Sequence, residues 1–255
     1  MISQTDLINY SKIYKIDQYT VLREYLQIIF LNSLYKKKGS SGVVFKGGTA
    51  IRLIYESPRF SEDLDFNTTL KMSLLRSVLG DSLTDARKVF PKLSLKELNT
   101  TQGFSAKLFL ENEISPMPLT VKLDFSMREK TIEKFKSTIA TELPASNYSL
   151  IIVMTQSEIL AEKLRTIFQR KKGRDIYDIW YLLNKKVIVD SKLLDEKFKL
   201  IDRSFDITDV IKYIASFDKS ILEKDLTKYL PLDQRHLPKN LPELINDKLR
   251  SLYKI

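Results

Sequence analysis

Between Val43 and Phe66 the chain reads VVFKGGTAIRLIYESPRFSEDLDF, and no other stretch restricts the fold as much. The β-branched and aromatic run Val43 to Phe45 ends at Gly47-Gly48, and TAIRLIYE follows at once. That order predicts a strand, a glycine turn and a helix with Thr49 as its N-cap. After SPRFS, the segment Asp63 to Phe66 reads as a second strand. Side chains two apart on a strand point the same way, so Asp63 and Asp65 share one face while Leu64 and Phe66 pack on the other.

Two ionised carboxylates so close repel unless a cation lies between them. The chain has no cysteine and one histidine, His236, which removes thiolate sites, disulfides, zinc clusters and a His-based triad. Any metal is therefore held by oxygen, and Mg2+ or Mn2+ suits carboxylates that share the ion with water and substrate phosphates. Gly47 and Gly48 let a phosphate approach the backbone closely, the helix start offers N–H groups, and Thr49 adds a hydroxyl. A two-metal site needs a third carboxylate. Asp124, in KLDF on a later predicted strand, is the first choice, with Glu97 and Glu111 behind it. Taken alone, an Asp-x-Asp is ordinarily a solvated turn; with the glycines in order and a helix-sized spacer it points to phosphate and metal chemistry.

The rest of the chain divides by pattern. Apolar residues at helical spacing predict a helix from Gln18 to Lys38, stopped by KKKGSSG, and another through about Leu70 to Phe90. Strands are expected at Lys92 to Leu98, Phe104 to Glu111, Leu119 to Ser126 and Ser149 to Met154. Beyond that only helices are expected: Gln156 to Gln169, Arg174 to Leu183, and several more through Tyr253, with prolines at 231, 238 and 242 marking loops. The expected organisation is a mixed α/β domain over residues 1–150, its sheet flanked by helices, and a helical bundle over 151–255. The formal charge of +10 splits evenly, 21 basic against 16 acidic residues in each part. Such an excess suits RNA or phosphorylated small molecules, and equally a lysine-solvated surface. The N-terminal stretch MISQTDLINYSK lacks a signal-peptide profile and no apolar run reaches membrane-spanning length, so a cytoplasmic, membrane-free protein is expected.

Gly47, Gly48 and Thr49, followed after a short helix by Asp63 and Asp65, resemble the signature of the nucleotidyltransferase superfamily. The wording GGTAIRLIY…RFSEDLDF is similar to the AbiEii/AbiGii toxin family. A second block, EILAEKLRTIFQRKKGRDIYDIWYLL (Glu158 to Leu183), resembles that family's later motifs, with Lys163 as the helical lysine and Arg174, Asp175 and Asp178 as the Arg-Asp-x-x-Asp element. The resemblance spans roughly residues 40 to 185. It implies a nucleotidyltransferase-type fold in which the helical domain brings Lys163 and the Arg-Asp-x-x-Asp segment to an interdomain cleft. It further implies that Arg52, Arg59, Ser61 and Asp178 help hold the nucleotide.

The residues leave plainer roles open beside these. Lys163 can be a surface lysine lying along its helix, Asp175 a cap, and Asp178 a partner of Arg174. Trp180, Tyr177 and Tyr181 fit a helical core better than a base-stacking platform. His236 and the Lys36 to Lys38 run fit a solvated surface. The expectation is an NTP-dependent transfer of a nucleotidyl group to a hydroxyl: Asp63, Asp65 and Asp124 hold the metal, Asp124 helps to activate the acceptor, and Lys163 neutralises phosphate charge. The resemblance implies RNA as acceptor, the tRNA 3′ end in particular, and a cognate antitoxin. A catalytically silent RNA-binding module and a small-molecule nucleotidyltransferase are the competing readings.

Overall fold

A computed structural model describes residues 2–101, 103–145, 149–188 and 190–253. The chain divides into two compact units, Met1–Met154 and Thr155–Ile255. Strand Ile151–Met154 pairs within the first unit, so the division falls just after it, four residues beyond the expected one.

In chain order the first unit contains α1 (Gln4–Ile13), α2 (Gln18–Tyr35), β1 (Val43–Lys46), α3 (Gly47–Leu53), β2 (Leu64–Thr68), α4 (Met72–Ala86), β3 (Ser94–Leu98), β4 (Phe104–Leu110), β5 (Leu119–Ser126), β6 (Lys134–Ser137) and β7 (Ile151–Met154). The strands form one mixed sheet in the order β3-β4-β5-β2-β1-β7-β6. β1 runs antiparallel to β2 and parallel to β7, and β2 runs parallel to β5.

β5 shows how the sequence builds the two faces. Leu119, Val121, Leu123 and Phe125 are buried, whereas Thr120, Lys122, Asp124 and Ser126 between them are partly exposed. The period of two puts the apolar set under α2, which packs on this strand, and turns the polar set to the other side of the sheet. Phe66 on β2 stacks on Phe125 with ring centroids 4.6 Å apart, joining the two strands beneath the polar face. α2 is buried along most of its length, a consequence of its near-continuous apolar run.

Three expectations need correction. Thr49 is not the N-cap of α3: the helix starts at Gly47 with Lys46 in the cap position, because the chain turns directly out of β1 at Gly47. α1 and β6 are absent from the sequence reading. α1 buries only Leu7 and is set instead by a capping box between Ser3 and Asp6, and β6 is a largely exposed edge strand, so neither carries an apolar pattern.

The second unit is helical: α5 (Gln156–Thr166), α6 (Gly173–Asn184), α7 (Ser191–Lys199), α8 (Ile207–Ala215), α9 (Lys219–Leu226) and α10 (Leu241–Tyr253). α6 packs on α5, α9 and α10. Tyr177 and Tyr181 are buried core residues of this unit, whereas Trp180, 5.3 Å from Tyr177 centroid to centroid, packs on that ring while staying partly exposed. His236 is exposed. No helix among the described residues is long and apolar enough to cross a membrane.

Candidate active site

Strand register assembles the carboxylates. Asp65 pairs with Lys46 on β1 and with Asp124 on β5, and Asp124 pairs with Ser105 on β4. Directly paired residues project from the same face, so Ser105, Asp124, Asp65 and Lys46 form one row across four strands. Asp63 lies just before β2.

The glycine turn closes on this row. Gly47 has φ +78°, a conformation that costs other residues dearly, and a β-carbon there would lie 2.9 Å from Asp65 Cβ and nearer still to its carboxylate. Gly47 is thus required by the turn and by the close approach of Asp65. A β-carbon on Gly48 would lie 2.5 Å from Arg59 Nη2 and 3.0 Å from Ser61 Oγ, so the second glycine admits that guanidinium and hydroxyl. Arg59 is buried and donates from Nη1 to the Phe60 carbonyl at 2.8 Å. The Thr49 hydroxyl donates to the Asp63 carbonyl oxygen, tying the start of α3 to the backbone before β2.

Arg52 goes elsewhere. Its Nε and Nη2 donate to both carboxylate oxygens of buried Glu24 at 2.7 and 3.0 Å, its Nη1 donates to the Ser57 carbonyl, and it lies over the Phe60 ring. This fork joins α3 to α2. Glu97 is also placed apart from the row: it pairs with Ala106, which pairs with core-facing Leu123, and Arg76 of α4 grips it at 2.9 Å. Glu111 pairs with Lys92 at 3.2 Å.

A residue that the sequence reading passed over sits among the carboxylates. Lys122 Nζ lies 2.7 Å from Asp124 Oδ2, and Ser105 Oγ donates to Asp124 Oδ1. Burial pulls the Lys122 ammonium down, but its hydrogen bond to Asp124 and the charges of Asp124, Asp63 and Asp65 outweigh this and hold it above the ordinary lysine value. One lysine cation therefore lies in the field of all three carboxylates. Its position two residues before Asp124 on an alternating strand was the available signal.

The donor chemistry suits a hard divalent ion: carboxylate oxygens lie on one face, and Asp65 packs directly against the glycine turn. Among the described residues, no three Asp, Glu, His or Cys side chains stand close enough to cage an ion. Lys122 meanwhile takes an oxygen of Asp124.

Lys163 and Asp178 belong to the second unit. On α5, Lys163 Nζ lies 2.6 Å from Asp175 Oδ1 and 2.8 Å from Asp178 Oδ2, both on α6, and all three are buried. Burial opposes the Lys163 charge, yet the two aspartates raise it above the usual lysine value. Burial likewise opposes ionised Asp175, but the Lys163 charge and Arg170, which donates to it at 2.9 Å, hold its carboxyl well below the usual range. Arg174 lies 4.9 Å from the Tyr229 ring centroid. A parallel cluster joins buried Lys197 of α7 to Glu158 and Glu162 of α5 at 2.6 and 3.0 Å.

Comparison with solved structures gives several long matches, two of which follow. MenT4, a nucleotidyltransferase toxin from Mycobacterium tuberculosis, matches with a TM-score of 0.61 at 16% identity, over 93% of this chain and 85% of that one. JHP933 from Helicobacter pylori matches with a TM-score of 0.52 at 21% identity, over 94% and 97% of the two chains. At these identities the likeness is one of fold. A search of curated proteins finds no match. The model of the family described as nucleotidyl transferase AbiEii toxin, type IV toxin–antitoxin system, matches residues 29–252. That span takes in the glycine turn, the carboxylate row and most of the helical unit, and the chain accordingly belongs to the AbiEii family of nucleotidyltransferase toxins.

Proposed function

We propose that the chain moves a nucleotidyl group from a nucleoside triphosphate to a hydroxyl of RNA, with the tRNA 3′ end as the leading acceptor. The observation that carries this reading is the row in which Asp124 pairs with Asp65 while Asp65 fills the space beside Gly47. It sets the acidic groups against a turn suited to phosphate. The +10 charge supports a polyanionic acceptor, and the family's toxin–antitoxin setting supports a cognate antitoxin and action in the cytoplasm.

In this reading the triphosphate lies on Gly47 and Gly48, with buried Arg59 and Ser61 beside the second glycine. Thr49 acts through the Asp63 backbone, holding the approach to β2. Asp65 and Asp124, paired across β2 and β5, are the residues that would hold Mg2+ or Mn2+ together with substrate phosphate oxygens, with Asp63 adding negative charge beside them; the ion when bound supplies charge neutralisation at the phosphates. The acceptor hydroxyl oxygen bonds to the α-phosphorus, the bridging bond to the β-phosphate breaks, and pyrophosphate leaves with its electron pair. The hydroxyl proton passes to Asp124, which Ser105 orients. We assign Arg52 to the α2–α3 joint and Lys163 to the α5–α6 joint, since each is already held by carboxylates.

The test incubates purified chain with Mg2+, each α-labelled triphosphate and total RNA, beside Asp65→Asn. Label on RNA in the wild type and its loss by a factor of about 100 or more in the variant is the expected result. RNA binding without transfer from any triphosphate would establish a silent module instead. Transfer to an added small hydroxyl compound and never to RNA would establish a small-molecule enzyme.

A further inference from the structure

The sheet carries a second cross-strand row beside the acidic one. Lys96 on β3 pairs with Lys107 on β4, and Lys107 pairs with Lys122 on β5. Three lysines thus stand directly opposite one another on the face that bears Asp65 and Asp124. Lys122 answers to Asp124, but neither Lys96 nor Lys107 has an ion-pair partner among the described residues. Lys96 is exposed and the other two are partly exposed. Like charges directly opposite across strands are unfavourable, so a row of three is a stored cost that an anion would relieve.

The sheet order says which anion. The phosphate turn follows β1, on one side of the carboxylate row, whereas the lysines extend across β5, β4 and β3 on the other. A triphosphate on Gly47 and Gly48 is separated from Lys107 and Lys96 by β2 and β5. A cavity of about 240 Å3 opens on this far side, lined by Thr100, Gly103, Ser105, Lys122, Asp124 and Arg128. It brings a second cation, Arg128, to the same edge of Asp124. The row spans about 10 Å at the usual strand spacing, long enough to meet successive phosphates of one extended strand.

We infer that the Lys96, Lys107 and Lys122 row is a track for the phosphodiester backbone of a single-stranded RNA acceptor, whose terminal hydroxyl enters the cavity beside Asp124. The inference rests on the proposed function for calling the strand an acceptor, while its binding prediction stands apart from transfer. Contacts to backbone phosphates are indifferent to sequence, so the track supplies affinity and leaves the choice of end to the cavity.

The experiment uses the full chain with Lys96 and Lys107 both changed to Gln, leaving Lys122 and the carboxylates intact, and a 5′-labelled single-stranded RNA oligonucleotide as probe. Affinity is measured against salt without triphosphate. Triphosphate affinity with Mg2+ and label transfer to total RNA are measured separately. The double variant is expected to bind RNA about ten-fold less tightly at low salt, with the log–log salt slope reduced by about 1.4, two single-strand phosphate contacts. Triphosphate affinity is expected to stay within two-fold. Unchanged RNA affinity and slope overturn the track even if the wild type transfers label, and so does an equal loss from Lys36→Gln with Lys38→Gln, an exposed pair outside the row. A matching fall in triphosphate affinity assigns the lysines to the nucleotide and also overturns it. Lysine-dependent RNA binding with no transfer by the wild type leaves the track standing and removes the proposed function.

Discussion

At the residue scale, Gly47 joins backbone and chemistry most closely. Its φ of +78° and the Asp65 side chain pressed against it make the same demand twice. Gly47→Ala is expected to cost about 1–3 kcal/mol for the left-handed backbone and to displace Asp65, so that transfer falls further than stability does. Denaturant midpoints and label transfer measured together check this. Lys163→Met gives a different signature. Removing the lysine leaves buried Asp175 and Asp178 without their shared cation, an expected loss of about 3 kcal/mol at neutral pH. Asp175 is depressed in the folded chain, so its contribution is present above the unfolded value of about 4 and is lost as pH falls below it. The deficit of Lys163→Met in urea titrations should therefore be similar at pH 7 and pH 5 and smaller at pH 3; an undiminished deficit at pH 3 would contradict the ion-pair account. Gly47, Asp65 and Asp124 were legible in the sequence because turn chemistry and strand alternation are local. The Arg52 fork with Glu24 was not, because its partner lies 28 residues away on another helix.

At the scale of elements, what could be read followed from periodicity, and what was missed lacked it. β5 alternates cleanly and appeared where expected, whereas α1 buries one apolar residue and β6 is an exposed edge. Register is the larger omission. Nothing local says that Lys96, Lys107 and Lys122 meet, because that depends on how β3, β4 and β5 align. The meeting has a stability consequence. Lys107→Gln removes like-charge opposition on both sides, so the variant is expected to be more stable than wild type by about 0.5 kcal/mol at low salt. The difference should shrink in 1 M salt, where the screening length falls to about 3 Å. Thermal midpoints at the two ionic strengths measure it, and a Lys107→Gln chain less stable at both would show that the row is not repulsive.

For the whole molecule, the sequence reported a charge of +10 but not where it is used, and the structure places one of those cations, Lys122, in the field of three carboxylates. On the proposed function this arrangement links folding to metal. An ion that binds only the native chain raises its stability by about 2.7 kcal/mol at one hundred times its dissociation constant. On that reading the ion in the wild type competes with Lys122, which already holds Asp124, and this moderates the gain. Lys122→Met removes the internal counter-charge. The metal-free variant should therefore unfold at a lower temperature than the metal-free wild type, and added Mg2+ should raise its midpoint by more. Chelation with EDTA should return each chain to its starting value. Asp65→Asn should respond least, since it lacks a carboxylate of the row. An Mg2+ shift in Asp65→Asn equal to the wild-type shift would place the stabilising ion away from these residues, and equal shifts in the wild type and Lys122→Met would show that this lysine does not stand in the ion's way.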